Sequence, residues 1–122
     1  MKVCDFRKNA LYQRSLDLAH EVYRTVEEDG ENIGEIEALQ LRKQAVRITK
    51  KITHAIVQQN IKMKFKDLNE AKNKLEKLLE EIYRFCDDGK ISDWNGHIVE
   101  SFGDQVMKLI KYNFGKYKNS EG

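Results

Sequence analysis

The stretch QLRKQAVRITKKITHAIVQQNIKMKFK, residues 40–66, decides the fold of this chain. Its apolar residues recur at steps of four, three, four and three, and they are Leu41, Ala45, Ile48, Ile52 and Ala55. Because an α-helix completes a turn about every 3.6 residues, this spacing places all five on one helix face. The stretch therefore predicts a long amphipathic helix whose apolar stripe packs into a core.

The same stretch carries eight lysines and arginines, one histidine and no acidic residue. Lys43, Arg47, Lys50 and His54, which we call the basic stripe, cluster on the helix face opposite the apolar stripe. A purely solvated face usually mixes both signs of charge, whereas an all-cationic face is typical of proteins that bind polyanions. A solvated face stays the alternative interpretation. The candidate nucleic-acid-binding residues are Arg42, Lys43, Arg47, Lys50, Lys51, His54, Lys62, Lys64 and Lys66.

Length and charge limit the class of protein. A chain of 122 residues predicts one domain, and 34% charged residues with no proline suit a helical protein. The net charge of +2 hides a local excess, since residues 40–66 sum to +8 and residues 27–39 to −6. No apolar run reaches the length of about 18 residues that a membrane helix needs, and no signal-peptide core is found near the N-terminus. We expect a cytoplasmic protein without a membrane segment.

Apolar periodicity predicts four helices, at approximately residues 8–28, 35–59, 63–87 and 92–117, in a single domain of residues 1–122. Gly30 and Gly34 separate the first two helices, Asn60 separates the second from the third, and Asp87–Gly89 ends the third. Ser92 is the predicted N-cap of the fourth helix. Four amphipathic helices with short connections predict an all-α, antiparallel up-down-up-down four-helix bundle.

The predicted faces of the last two helices follow from the same periodicity. The third helix points Leu68, Ala71, Leu75, Leu78, Ile82 and Phe85 inward, and its outer side, with Glu70, Lys74, Glu76, Lys77, Glu80 and Glu81, is a mixed-sign solvated surface. The fourth helix has an inner face of Ile98, Phe102, Val106 (or Gln105), Leu109, Asn113 and Phe114. Trp94 is expected to seal one end of the bundle. The lysines and aromatic residues up to Tyr117 and Lys118 favour a helix C-terminus stabilised by cations, or alternatively a base-stacking surface.

The sequence offers no arrangement for catalysis, a metal ion or a cofactor. Cys4 and Cys86 form no CxxC pair, and a disulfide between them is not expected in a reducing compartment. There is no Ser or Cys nucleophile near a His, no Glu-x-x-His motif and no glycine-rich phosphate loop. Asp29–Gln40 is similar to a calcium loop but lacks the bidentate Glu at its last position. We expect a protein that is not an enzyme and has no metal or cofactor.

Residues 9–118 resemble the four-helix-bundle proteins encoded by intervening sequences of 23S rRNA genes. That family carries a Gln-Leu-Arg-Arg-Ala-x-x-Ser-Ile segment on its second helix, to which Gln40–Ile48 is similar. Its third-helix pattern is matched by Phe65, Leu68, Ala71, Glu76 and Leu78, and Lys90–Ser92 lies where the family turns into its last helix. Lys51–Ala55 replaces the family's Asn-Ile-Ala-Glu-Gly. This departure indicates a divergent member, nearer to the accessory variability determinants of diversity-generating retroelements.

The resemblance implies a homopentamer, in which five bundles form a barrel with a basic surface or channel. The accessory branch implies binding to nucleic acid and to a reverse transcriptase that makes mutagenic cDNA. Together with the basic stripe, this predicts a non-catalytic accessory protein that binds the phosphate backbone of RNA or DNA. The alternative is a structural or protein-binding oligomeric adaptor with no nucleic-acid role. Salt separates the two, because phosphate contacts weaken steeply with salt and apolar contacts do not.

Overall fold

The computed structural model describes residues 6–121, with side chains up to Lys116. A short 3-10 helix, Phe6–Lys8, precedes four α-helices, which are α1 (Ala10–Glu28), α2 (Glu35–Val57), α3 (Ile61–Asp87) and α4 (Asp93–Glu121). No strand occurs within this range. The predicted all-α class is confirmed, with helix ends displaced by a few residues at most. The expectations for Cys4, and for the side chains of Tyr117 and Lys118, lie outside the described residues.

The four helices pack as a square. α1 contacts α2 and α4, and α3 contacts the same two helices. The connections are short, comprising residues 29–34, 58–60 and 88–92. Since a short connection forces the next helix to run back along the previous one, the chain forms the predicted up-down-up-down four-helix bundle.

The apolar stripe of α2 lies at the centre of the core, as predicted. Leu41, Ile48 and Ile52 are each 0% exposed, and Leu75 and Leu78 of α3 are equally buried beside them. Burying a side chain of this size stabilises the fold by roughly 1.5–3 kcal/mol. The burial of this stripe fixes the rotation of α2 about its axis, so that the opposite face of the helix must point to solvent.

The inner face of α4 differs from the prediction. The fully buried apolar residues are Val99, Val106 and Ile110, whereas the other predicted core residues of this helix are only partly buried. Gly96 and Gly103 have no side chain, so α4 approaches α3 closely at these positions and both glycines are buried. The prediction was right for Val106 but wrong in placing Ile98 and Leu109 fully inside, because it weighed large apolar side chains and gave no weight to glycines at the helix contact.

The expectation for Trp94 was also wrong, since its side chain is 71% exposed. The neighbouring Asn95 closes that end of the bundle instead and is 3% exposed. Its Nδ2 donates to Glu28 Oε2 and to Asp29 Oδ2, both at 3.0 Å. The Asn95 backbone N–H donates to Ser92 Oγ at 3.2 Å, which confirms Ser92 as the N-cap of α4.

Candidate nucleic-acid interface

The basic stripe forms one continuous exposed row on α2. Lys43, Arg47, Lys50 and His54 are all exposed, and they extend over about 16 Å of helix axis. None of these four side chains makes an ion pair with another residue of the described range. The three permanently charged members are therefore available to an anion from solvent.

Arg42 lies at the border between the basic stripe and α1. Its side chain is half-buried, and the guanidinium carbon is 6.0 Å from the centre of the Tyr23 ring. At this distance the ring attracts the cation through its quadrupole. Arg42 is thus held against α1, and it retains its charge at the edge of the exposed row.

Two of the predicted site residues have structural partners. Lys51 Nζ lies 2.6 Å from Glu70 Oε2 on α3, and this hydrogen bond raises the pKa of Lys51 and lowers the pKa of Glu70. Lys64 Nζ donates to the backbone oxygens of Ala55, at 2.9 Å, and Ile56, at 3.1 Å. It thereby stabilises the C-terminal end of α2, where carbonyl groups have no partner within the helix. Both lysines act mainly in joining α2 to α3.

The remaining predicted residues, Lys62 and Lys66, are exposed on α3 and not on the helix that carries the basic stripe. The turn between the two helices explains this placement. Asn60 ends the connection as the N-cap of α3, because its Oδ1 accepts the Met63 backbone N–H at 3.1 Å. The sequence therefore brings nine basic candidates close together along the chain, and the fold distributes them over two helices.

Two cations that the sequence did not indicate lie beside the basic stripe. Lys74 and Lys77 of α3, with Gln44 and Arg47 of α2, line a cleft of about 120 Å³. We call this the α2–α3 cleft. The sequence interpretation had assigned both lysines to a mixed-sign solvated surface. The available signal was their position next to the buried Leu75, which is informative only once α3 is known to pack against α2 on that side.

An apolar groove lies on the other side of the basic stripe, between α1 and α2. Leu16, Ala19, Tyr23 and Val46 line it, in two adjoining parts of about 470 and 510 Å³. Tyr23 is 45% exposed and Val46 is 37% exposed. Lys50 and His54 of the basic stripe reach the rim of one part. The basic stripe is thus flanked by a cationic cleft on one side and an apolar groove on the other.

The described range contains no cluster of three or more His, Cys, Asp or Glu side chains suited to a metal ion. None of its helices combines the length and apolar character required to cross a bilayer. Comparisons of the chain with protein-family models, with curated proteins and with solved structures returned no match.

Proposed function

We propose that this protein is a non-catalytic accessory protein that binds the phosphate backbone of RNA or DNA through the basic stripe on α2. The observation that carries the proposal is the row of exposed side chains of Lys43, Arg47 and Lys50, which have no acidic partner within the described range. Such cations contact phosphates and release counterions. Because phosphate contacts carry no sequence information, binding is independent of base sequence.

The resemblance to the 23S rRNA intervening-sequence proteins supports two further parts of this proposal. The protein assembles as a homopentamer, and a reverse transcriptase is its protein partner. In a ring, five basic stripes act together and raise the overall affinity by avidity. Light scattering tests the assembly, because a pentamer has five times the mass of one chain and a monomer at micromolar concentration would refute it.

Replacing Lys43, Arg47 and Lys50 together by glutamine tests the basic stripe. Affinity for mixed-sequence RNA and DNA should fall alike for all sequences, because only phosphate contacts are lost. The slope of log affinity against log salt should become shallower by up to about three units per protomer, at roughly 0.9 per lost contact on duplex. The variant should stay folded, since exposed substitutions usually change stability by at most about 0.5 kcal/mol each.

A matched control removes the same charge from α4. Lys108, Lys111 and Lys116 are also exposed, and their joint replacement by glutamine should leave affinity and salt slope nearly unchanged. The proposal fails if the stripe variant is folded and binds like the parent at every salt concentration. It also fails if the α4 control weakens binding to the same extent.

The apolar groove between α1 and α2 favours the second candidate function, a protein-binding adaptor. Tyr23 and Val46 are exposed apolar side chains, and a partner that covers them binds favourably because it removes them from water. Binding of that kind persists at high salt, in contrast to binding through phosphates. Replacing Val46 by aspartate places a charge in the groove, and it should abolish protein binding while leaving the exposed cations of the basic stripe in place.

A further inference from the structure

The α2–α3 cleft has the composition of a phosphate-binding site. Arg47 from α2 and Lys74 and Lys77 from α3 bring three positive charges to one opening of about 120 Å³. Arg47 and Lys77 are exposed, and Lys74 is half-buried. Within residues 6–121, no carboxylate forms an ion pair with any of the three. The mutual repulsion of these cations is relieved when an anion binds between them.

Two carboxylates of α3, Glu70 and Glu81, have hydrogen-bond partners of their own close to the cleft. Glu70 pairs with Lys51 at 2.6 Å. Glu81 accepts a hydrogen bond from Gln44 Nε2 at 2.8 Å and lies 3.8 Å from Arg84. Glu70 also interacts electrostatically with Lys74 but forms no ion pair with it, so it offsets only part of the positive charge of the α2–α3 cleft.

Gln44 gives the cleft a polar wall. Its hydrogen bond to Glu81 fixes the orientation of the amide, because only the Nε2 side can donate to a carboxylate. Its Oε1 is buried and has no hydrogen-bond partner. A lysine ammonium has three donors, which Lys74 and Lys77 can direct to a bound anion.

We propose that the α2–α3 cleft binds a single phosphate group, and that it prefers the phosphomonoester at the end of a nucleic-acid strand to a diester within the strand. A monoester carries about −1.5 to −2 charges at pH 7, whereas a diester carries one, so three cations attract the monoester more strongly. The Arg47 guanidinium can donate two parallel hydrogen bonds to a phosphate, and the lysine ammonium groups act as point charges. The preference for a strand end rests on the proposed function, because Arg47 belongs both to the cleft and to the basic stripe.

Inorganic phosphate tests the cleft without nucleic acid. Amide and side-chain NMR signals of the full chain are followed during titration with sodium phosphate, against sodium chloride at equal ionic strength. Saturable shifts are expected around Arg47, Lys74 and Lys77, and they should be lost when both lysines are replaced by glutamine. Replacing Lys108 and Lys111 of α4 by glutamine removes the same charge and should preserve the shifts. Unchanged shifts in the cleft variant would overturn the proposal.

Oligonucleotides of one sequence test the preference for a strand end. Strands with a 5′-phosphate, a 3′-phosphate or only hydroxyl ends are compared, and the parent should bind a phosphorylated end about tenfold more tightly. Replacing Lys74 and Lys77 by glutamine should remove this ratio, while hydroxyl-ended strands should still bind, more weakly, through Lys43, Arg47 and Lys50. Equal binding of all three strands by the parent refutes the preference. If inorganic phosphate binds but no oligonucleotide does, the proposed function fails and the phosphate site stands.

Discussion

Gly96 is the position where one methyl group tests how closely α4 packs against α3. A Cβ placed on Gly96 would overlap the sulfur of Cys86. The next nearest atoms, Cys86 Cβ and Ile82 Cγ2, are both at 3.9 Å, which is an ordinary van der Waals distance. Only the sulfur therefore prevents an alanine at this position. We expect Gly96→Ala to have opposite effects on stability with and without that sulfur.

Two opposing contributions determine the size of the effect. Alanine is a better helix former than glycine by up to about 1 kcal/mol, whereas overpacking a buried contact costs about 1–3 kcal/mol. Gly96→Ala should therefore lower the free energy of unfolding of the parent by about 1 kcal/mol. In a Cys86→Ala background the same change should raise it by about 0.5–1 kcal/mol. The coupling between the two substitutions is then about 1.5–2 kcal/mol, within the range for residues in contact.

Urea unfolding followed by far-UV circular dichroism measures this double-mutant cycle. The parent, both single variants and the double variant should share one denaturant slope, so that midpoints report stability. Gly115→Ala serves as the control, because a Cβ at Gly115 meets no atom within 4 Å. Its effect, a stabilisation of up to about 1 kcal/mol from helix propensity alone, should be the same with Cys86 or Ala at position 86. An equal effect of Gly96→Ala in both backgrounds would refute the close contact as its cause.

Three other substitutions test the core, a buried polar contact and an ion pair. Ile52→Asp places an unpaired carboxylate at a position that is 0% exposed, and it should lower the free energy of unfolding by about 3–5 kcal/mol; a urea-measured loss below about 1 kcal/mol would contradict the assigned core. Asn95→Ala removes the hydrogen bonds that join α4 to the end of α1 and should cost about 1–3 kcal/mol in the same assay, whereas no loss would contradict their structural role. Lys90 holds the pKa of Glu37 below its usual 4.5, so this pair contributes stability above that pH and loses it as the pH falls through the lower, folded-state pKa. The stability difference between the parent and Glu37→Gln should therefore vanish in acid, and a difference that persists there would refute the contribution of the ion pair.

The sequence predicted α2 and α3 well because apolar side chains at helical spacing define their buried faces. In α2, Ile48 and Ile52 recur with helical spacing, and both are completely buried. In α4 the contact with α3 is made partly by Gly96 and Gly103, which carry no apolar side chain that a periodicity search can detect. The predicted face of α4 was consequently rotated relative to the true one, although the two share Val106. Trp94 was misplaced for a related reason, since its hydrophobicity suggested burial and the smaller Asn95 occupies the buried position.

The candidate site was only partly predictable, because the pairing of charges depends on distances between helices. The stretch from residue 40 to 66 contains no acid, yet Lys51 forms an ion pair with Glu70 across the α2–α3 contact. Lys64 likewise donates hydrogen bonds to backbone oxygens of α2. Conversely, Lys74 lies in a segment of mixed charge along the chain but lines one cleft with Arg47 in space. A count of charges along the sequence cannot distinguish these cases.

This difference between sequence and structure leads to a measurable limit on the salt dependence of binding. The eight lysines and arginines of residues 40–66, if all contacted duplex phosphates, would give a log–log salt slope of about −7 per protomer. The continuous surface formed by the basic stripe and the α2–α3 cleft offers five permanent cations, which are Lys43, Arg47, Lys50, Lys74 and Lys77. Their limit is about −4.5 per protomer on duplex. To decide between these two slopes, affinity is measured over a range of salt concentrations, and the number of bound protomers is determined by mass. A slope steeper than the lower limit would mean that Lys51 leaves Glu70, or that cations outside this surface contact phosphates.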